Sequence, residues 1–85
     1  MLYSLAIKPS VLKDLHPIPK ELRGKIAVSI LDLSRDPRPA GSTKLSGSSA
    51  GYRVRVGDYR VLYEISEPER VIRVMAVGHR RDVYR

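Results

Sequence analysis

Apolar and polar residues alternate in two parts of the chain, and this alternation is the pattern of a half-buried β-strand. The first alternating segment covers residues 2–8 and stops at a Lys-Pro step. The second covers residues 51–65 and is interrupted by Gly57 and Asp58, which suit a two-residue hairpin turn. Residues 71–77 are largely apolar, as in a central strand that is covered on both faces. The pattern predicts four strands, the middle two joined as a hairpin.

Helical spacing replaces this alternation between the first strand and the hairpin. Residues 9–16 begin with a proline, which suits the first turn of a helix. This short helix would direct Leu12 and Leu15 inward, with Val11 at the flank. Residues 19–35 show the stronger helical periodicity and stop before an Asp-Pro step. The apolar stripe of this second helix comprises Leu22, Ile26, Ile30 and Leu33, widened by Val28 and Leu31.

The order strand, helix, helix, strand, strand, strand predicts an α+β fold. In this fold, two helices pack on one face of a largely antiparallel four-stranded sheet. We expect one domain over residues 1–85. Residues 36–50 have the composition of a loop that is long for a compact domain. We expect Leu45 to anchor this loop to the core, whereas Lys44 is either a ligand contact or simply an exposed residue.

The predicted register of the hairpin brings like charges together. If Gly57 and Asp58 form the loop, Arg55 pairs with Arg60, and strand alternation places Arg53 on the same face. Like charges that lie directly opposite destabilise a sheet. Guanidinium groups, however, bind phosphate through paired hydrogen bonds. This face is therefore a candidate phosphate-binding site, and the alternative is an ordinary solvated sheet face whose charges need no function.

The composition favours a polyanionic partner. Sixteen Lys and Arg residues against nine Asp and Glu residues give a net charge of +7, which favours nucleic acid ahead of an acidic protein or an anionic membrane. The chain has no Cys and only two widely separated His residues, so we expect no disulfide, metal site or other cofactor. It shows no signal-like N-terminus and no membrane-spanning run, so we expect a cytoplasmic location without membrane association.

Three motifs accompany this order of elements. They are the loop Lys44-Leu45-Ser46-Gly47, the hairpin segments Tyr52-Arg53-Val54-Arg55 and Tyr59-Arg60-Val61-Leu62-Tyr63, and the tail Val77-Gly78-His79-Arg80-Arg81-Asp82-Val83-Tyr84. Together they resemble the RelE toxins of bacterial type II toxin-antitoxin systems, in the wider RelE/ParE superfamily, over essentially the whole chain. The resemblance implies a ribosome-dependent endonuclease that cleaves mRNA in the ribosomal A site and stops translation. It also implies a cognate RelB-like antitoxin, acidic or bearing an amphipathic helix, that holds the toxin inactive in a hetero-oligomeric complex.

The resemblance also implies roles for individual residues. The family's catalytic positions correspond to Arg60 in the third strand, Arg80 after the last strand and Tyr84 near the C-terminus. Arg53 and Arg55 stand where RelE proteins often carry two lysines. This departure matters because a lysine can lose its proton near neutral pH, whereas an arginine cannot. If a lysine is the general base in some relatives, this chain needs another base or relies on electrostatic stabilisation.

These residue types suit RNA cleavage. Attack of a ribose 2′-OH on the adjacent phosphate concentrates negative charge on the phosphoryl oxygens, which the guanidiniums of Arg60 and Arg80 can stabilise without a metal. Histidine changes charge near neutral pH, so His79 is a candidate for moving protons in the reaction. If the last strand continues, alternation places His79 and Arg80 on opposite faces, so a structural or base-stacking role for His79 is as open as a role as the base. Tyr84 either stacks on a base, orients the nucleophile or covers the edge of the core. The candidates for binding RNA or phosphate are Lys44, Arg53, Arg55, His79 and Arg81.

Two other functions fit parts of the sequence. A ParE-like toxin would share the fold but would bind and poison DNA gyrase without cutting RNA. A basic nucleic-acid-binding module without catalysis would account for the charge but not for the tail. The combination of Arg60, Arg80 and Tyr84 favours the nuclease.

Overall fold

In the computed structural model, which describes residues 2–47 and 49–79, the chain forms two helices and five strands. The elements are β1 (Ser4–Ile7), α1 (Pro9–Leu15), α2 (Lys20–Leu33), β2 (Thr43–Lys44), β3 (Gly51–Val56), β4 (Tyr59–Ser66) and β5 (Val71–His79). Their order is the predicted one with β2 added, inside the segment that was expected to be entirely loop. No helix within the described ranges is long and apolar enough to cross a membrane.

The strands form one sheet in the order β1-β5-β4-β3-β2. β1 and β5 are parallel, whereas the remaining strand pairs, β5 with β4, β4 with β3 and β3 with β2, are antiparallel, as predicted. The sheet is therefore mixed and has five strands instead of the predicted four. Parallel neighbours need a long connection between them. Here the whole of the chain from α1 to β4 intervenes, and the helices carry it from the β1 edge of the sheet to the β2 edge.

Both helices lie on one face of the sheet, where their buried side chains form the core with residues of β3, β4 and β5. Val11 is wholly buried but Leu12 is 68 % exposed, so the expectation that Leu12 points inward is wrong. The direct connection from β1 fixes this orientation, because Lys8 N–H donates to Val74 O at 3.0 Å and Pro9 begins the helix. The core comprises Val11, Ile18, Ile26, Ile30, Leu33, Val54, Val61, Tyr63, Ile65, Ile72, Val74 and Val77.

The second helix buries a narrower stripe than the sequence suggests. Ile26, Ile30 and Leu33 are buried, as predicted, but Val28 and Leu31 are 58 % and 61 % exposed. The expectation that these two residues widen the buried stripe is therefore wrong. The reason is that the sheet contacts one side of α2 only, and no other element within residues 2–47 and 49–79 covers the opposite side.

A β-bulge in β5 changes which of its side chains face the helices. Two consecutive residues of β4 pair with Val74 and Ala76, so Met75 is the extra residue. In a regular strand Val77 would lie on the opposite face from Val74. The bulge returns Val77 to the helix side, where it is buried. β5 continues to His79, two residues further than predicted.

The hairpin between β3 and β4 has the predicted turn and register. Gly57 adopts a φ of 61°, in the left-handed region that favours glycine, and Asp58 completes the turn. A Cβ atom at Gly57 would meet Leu22 Cδ2 at 3.8 Å, which is an ordinary contact. The backbone conformation, and not crowding, therefore requires glycine here. The pairs next to the turn are Val56 with Tyr59, Arg55 with Arg60 and Val54 with Val61.

Candidate active site

Three arginines share the face of the sheet that the helices leave uncovered. Arg55 lies directly opposite Arg60, and Arg53 lies opposite Leu62 in the same hairpin. Their neighbours along each strand point into the core, so alternation directs the arginines outward. On the other side of β4, Gly78 of β5 pairs with Arg60. We call the surface formed by Arg53, Arg55 and Arg60 the arginine face.

The guanidinium of Arg60 is shielded from solvent without being satisfied. Its Nε and Nη1 atoms are buried and have no hydrogen-bond partner among the described residues. Burying such a donor without an acceptor costs free energy. An anion bound to this guanidinium would offset part of this cost. Arg60 is therefore a candidate donor for a phosphoryl oxygen.

The cross-strand partner of Arg60 has a different environment. Arg55 is exposed, and its Nε donates to the carbonyl oxygen of Gly57 at 2.9 Å. This bond ties the Arg55 side chain to the turn. An exposed guanidinium of this kind suits the binding of an anion at the surface, whereas the Arg60 nitrogens are shielded from solvent.

His79 is not on the arginine face. It pairs with Tyr59, and the two rings pack edge to face with centroids 5.7 Å apart. Because Tyr59 packs against the core, His79 lies on the helix side, across the sheet from Arg60. The two rings border a cavity of about 330 Å³. The other residues that line this cavity are Lys13, Asp14, Pro17, Ile18, Val77 and Gly78.

The structure also separates Lys44 from the arginines. Lys44 is exposed in β2 and pairs with Tyr52, whose ring packs against the core, so Lys44 lies on the helix side at the sheet edge. Thr43, opposite Arg53, is the β2 residue on the arginine face. Leu45 is half-buried, and its N–H donates to Gly51 O at 2.9 Å, which ties the loop to β3 through the backbone.

Three of the expected site residues, Arg80, Arg81 and Tyr84, lie outside the described residues. Of the expected site residues that the structure describes, it brings together Arg53, Arg55 and Arg60. Within residues 2–47 and 49–79, no three His, Asp or Glu side chains lie close enough together to hold a metal ion.

Two tyrosines of the hairpin, Tyr52 and Tyr63, make contacts that hold the fold together. Tyr63 is buried and donates from its hydroxyl to Pro37 O at 2.7 Å, and burial raises its pKa to about 12. Tyr52 stacks on Tyr63 with ring centroids 6.0 Å apart. Arg38 covers Tyr52 at 5.3 Å from its centroid and donates from Nε to its hydroxyl at 3.1 Å. These contacts close the loop after α2 over the core.

One polar contact near the site was not foreseen from the sequence. Asp14 of α1 accepts a hydrogen bond on Oδ2 from the Val77 N–H at 3.1 Å. The contact depends on the bulge at Met75, which could not be predicted because no pattern in an apolar strand marks where an extra residue occurs. A single acidic residue close to the inner side of a short helix is the only sequence signal for this contact.

Comparisons with known proteins agree with this geometry. Residues 5–84 match the family model described as the ParE toxin of the type II toxin-antitoxin system parDE. The chain is 30 % identical over 86 residues to the toxin RelG of Mycobacterium tuberculosis, covering all of this chain and 99 % of that one. A crystal structure of the archaeal RelE-RelB complex from Pyrococcus horikoshii contains a chain that is 30 % identical, with a TM-score of 0.84. That match covers 98 % of this chain and all of the other.

A second solved structure gives the same result. The toxin-antitoxin complex RelBE2 of M. tuberculosis contains a chain that is 26 % identical, with a TM-score of 0.82, over 96 % of this chain and 95 % of that one. The fold, a single sheet with two helices on one face, is thus shared with the toxin chains of these toxin-antitoxin complexes. The chain belongs to this ParE toxin family, and its named relatives are RelE-type toxins. The resemblance noted in the sequence is confirmed.

Proposed function

We propose that the chain is a ribosome-dependent endoribonuclease that cleaves mRNA in the ribosomal A site. The observation that carries the proposal is the guanidinium of Arg60, whose Nε and Nη1 are buried without a hydrogen-bond partner in the described part of the chain. Arg60 lies directly opposite Arg55 on the sheet face that α1 and α2 do not cover. A cationic donor held in this way is suited to a phosphoryl oxygen that gains charge during reaction.

The proposed reaction is an internal transfer of the phosphate within the RNA. The 2′-oxygen of a ribose forms a bond to the adjacent phosphorus while the bond from phosphorus to the 5′-oxygen breaks. The products are a 2′,3′-cyclic phosphate and a 5′-hydroxyl end. Water takes the proton that leaves the 2′-OH, and water supplies the proton that reaches the departing 5′-oxygen. Arg60 stabilises the charge on the phosphoryl oxygens, and Arg53 and Arg55 hold the RNA backbone.

The remaining catalytic roles come from the family resemblance. We propose that Arg80 supplies a second guanidinium to the phosphate and that Tyr84 stacks on a base or orients the 2′-OH. Arginines cannot act as general bases because they keep their protons at neutral pH. His79 lies across the sheet from Arg60, which favours a structural or base-stacking role for it. Electrostatic stabilisation is therefore the larger part of the proposed catalysis.

We also propose a RelB-like antitoxin as the cognate partner, in a hetero-oligomeric complex. The solved relatives include RelE-RelB complexes. The net charge of +7 favours an acidic partner. Large apolar side chains also remain exposed on β1, on the segment just before it and on the helices, which gives a partner area to bury. These are Leu2, Ile7, Leu12, Val28 and Leu31.

The test is cleavage of a defined mRNA on purified ribosomes, with the new ends mapped by primer extension. We expect cuts within the codon in the A site, and none when ribosomes are omitted. An Arg60→Ala variant is the matched negative control. The same protein is added to a DNA gyrase supercoiling assay, because the matching family model is named for ParE. Inhibited supercoiling with intact mRNA would identify the ParE-like alternative and overturn the proposal.

A further inference from the structure

Among the described residues, the C-terminal half of β5 has a strand neighbour on one side only. β1 ends at Ile7, which pairs with Val74, so β5 residues 75–79 have β4 as their only strand neighbour among the described residues. Backbone N–H groups that point away from β4 therefore need another acceptor, and a buried N–H without one costs free energy. Helix α1 follows β1 directly and packs along this part of β5.

One carboxylate of α1 supplies an acceptor on that side. Asp14 Oδ2 receives the Val77 N–H at 3.1 Å, and Val77 is buried two residues beyond the bulge residue Met75. A charged acceptor forms a stronger bond to a backbone N–H than a neutral one. Asp14 thus supplies the hydrogen-bond acceptor that a neighbouring strand would supply if β1 continued beyond Ile7.

The backbone that this bond holds is adjacent to the proposed active site. Gly78 follows Val77 and pairs with Arg60 across the strands, so its backbone lies beside the backbone that carries the Arg60 side chain. If the end of β5 moved away from β4, the position of Arg60 relative to bound RNA would change. A misplacement of about 1 Å is enough to slow an enzyme roughly 100-fold.

We propose that Asp14 is a positioning residue of the active site. Its carboxylate fixes the bulged end of β5 and so sets the geometry of the β5 backbone around Arg60. The inference rests on the proposed RNA cleavage. Asp14 acts through Val77 and Gly78 and lies on the helix side of the sheet, away from the phosphate.

The test compares variants that differ in the acceptor. Asp14→Ala removes it, Asp14→Leu fills the same space without an acceptor, and Asp14→Asn retains an oxygen that accepts the same bond. With saturating toxin on programmed ribosomes, we expect the Ala and Leu variants to cleave at least about tenfold more slowly. The toxin concentration that gives the half-maximal rate should change less than about twofold, because the RNA-binding arginines are intact. Asp14→Asn should stay within about threefold of the wild-type rate.

A matched control separates positioning from charge and general stability. Asp32→Ala changes the net charge equally and removes an exposed carboxylate from α2, away from β5. We expect this variant to cleave at the wild-type rate. Amide hydrogen exchange at Val77 and His79 should accelerate in Asp14→Ala and Asp14→Leu, but not in Asp14→Asn or Asp32→Ala.

The outcomes are distinct. A wild-type rate in Asp14→Leu would show that packing and not the acceptor matters, and would overturn the inference. So would a defect confined to the half-maximal concentration, or an equal loss in Asp32→Ala. If the wild-type chain does not cleave mRNA, the proposed function fails. Unchanged amide exchange in Asp14→Ala and Asp14→Leu would separately refute the role of the Asp14–Val77 hydrogen bond in holding the end of β5.

Discussion

Arg60 is the side chain on which the proposed chemistry depends most. We expect Arg60→Ala to lower ribosome-dependent cleavage by about 100-fold or more, as when one donor to a developing oxyanion is removed. The free protein should not lose stability, because the guanidinium nitrogens Nε and Nη1 satisfy no acceptor in the described structure. Cleavage rates and denaturant melts of the same preparation measure both effects. Arg60→Ala with full activity would refute the site.

The repulsion between Arg55 and Arg60 is expected to be measurable in the free protein. Arg55→Thr places a neutral, strand-favouring residue opposite Arg60, so the free energy of unfolding should rise by roughly 0.2 to 1 kcal/mol at low salt. The gain should shrink as salt rises, because exposed charges are screened over about 10 Å at 0.1 M ionic strength. Arg53→Thr is the control, since the residue directly opposite Arg53 is Leu62. Equal salt dependence in both variants would contradict this explanation.

Tyr63 gives the fold a dependence on alkaline pH. Burial raises its pKa to about 12 from 10.0, so the folded state holds the phenolic proton more tightly than the unfolded state. This stabilisation is complete below the unfolded value and is lost as pH rises through about 12. Denaturant melts between about pH 10 and pH 12 should show a decline, about 1 to 2 kcal/mol of which is absent in Tyr63→Phe. An equal decline in both proteins would assign the effect to other groups.

At the level of the elements, two glycines should respond oppositely to the same substitution. Gly57→Ala forces a side chain into a φ of 61° in the hairpin turn and should cost about 1 to 2 kcal/mol. Gly24 lies within α2, where an added Cβ meets nothing within 4 Å, so Gly24→Ala should stabilise the protein by about 0.4 to 1 kcal/mol. Denaturant melts of both variants provide the comparison. Destabilisation by Gly24→Ala would show that α2 has a neighbour on that side.

Local signals in the sequence were sufficient for most of the elements. The first-Gly turn fixed the hairpin register, and with it the pairing of Arg55 with Arg60. The contacts that depend on distant parts of the chain were harder to foresee. Leu12 is exposed because β1 sets the direction in which α1 starts, and β2 forms only because β3 offers a free edge to the loop.

The candidate site could be predicted only where one strand pair defines it. Arg53, Arg55 and Arg60 come together through the hairpin alone, so their common face follows from alternation. Lys44 and His79 require the pairing of β2 with β3 and the bulged pairing of β5 with β4. Neither register has a local signal, and both residues lie on the helix side of the sheet.

For the whole molecule, we expect expression of the chain alone to arrest growth. An acidic antitoxin expressed with it should restore growth, because the two proteins attract each other electrostatically and the complex covers the toxin. The Arg60→Ala variant should permit growth at the same expression level. Association of purified toxin and antitoxin should also slow as salt rises. Normal growth with abundant, folded wild-type chain would count against the toxin assignment in the cell.

The helices cover only one face of the sheet, and this has an evolutionary consequence. Along β3 and β4, residues that hold the fold alternate with residues that face outward, so either set can change while the other stays constant. Exchanging Arg53 or Arg55 for lysine, for example, would alter proton chemistry on the outer surface without disturbing Val54 or Val61 beneath it. The core can therefore stay the same while selection changes the outer face. Related toxins can in this way acquire different cellular targets through a few substitutions on the outer face of the sheet.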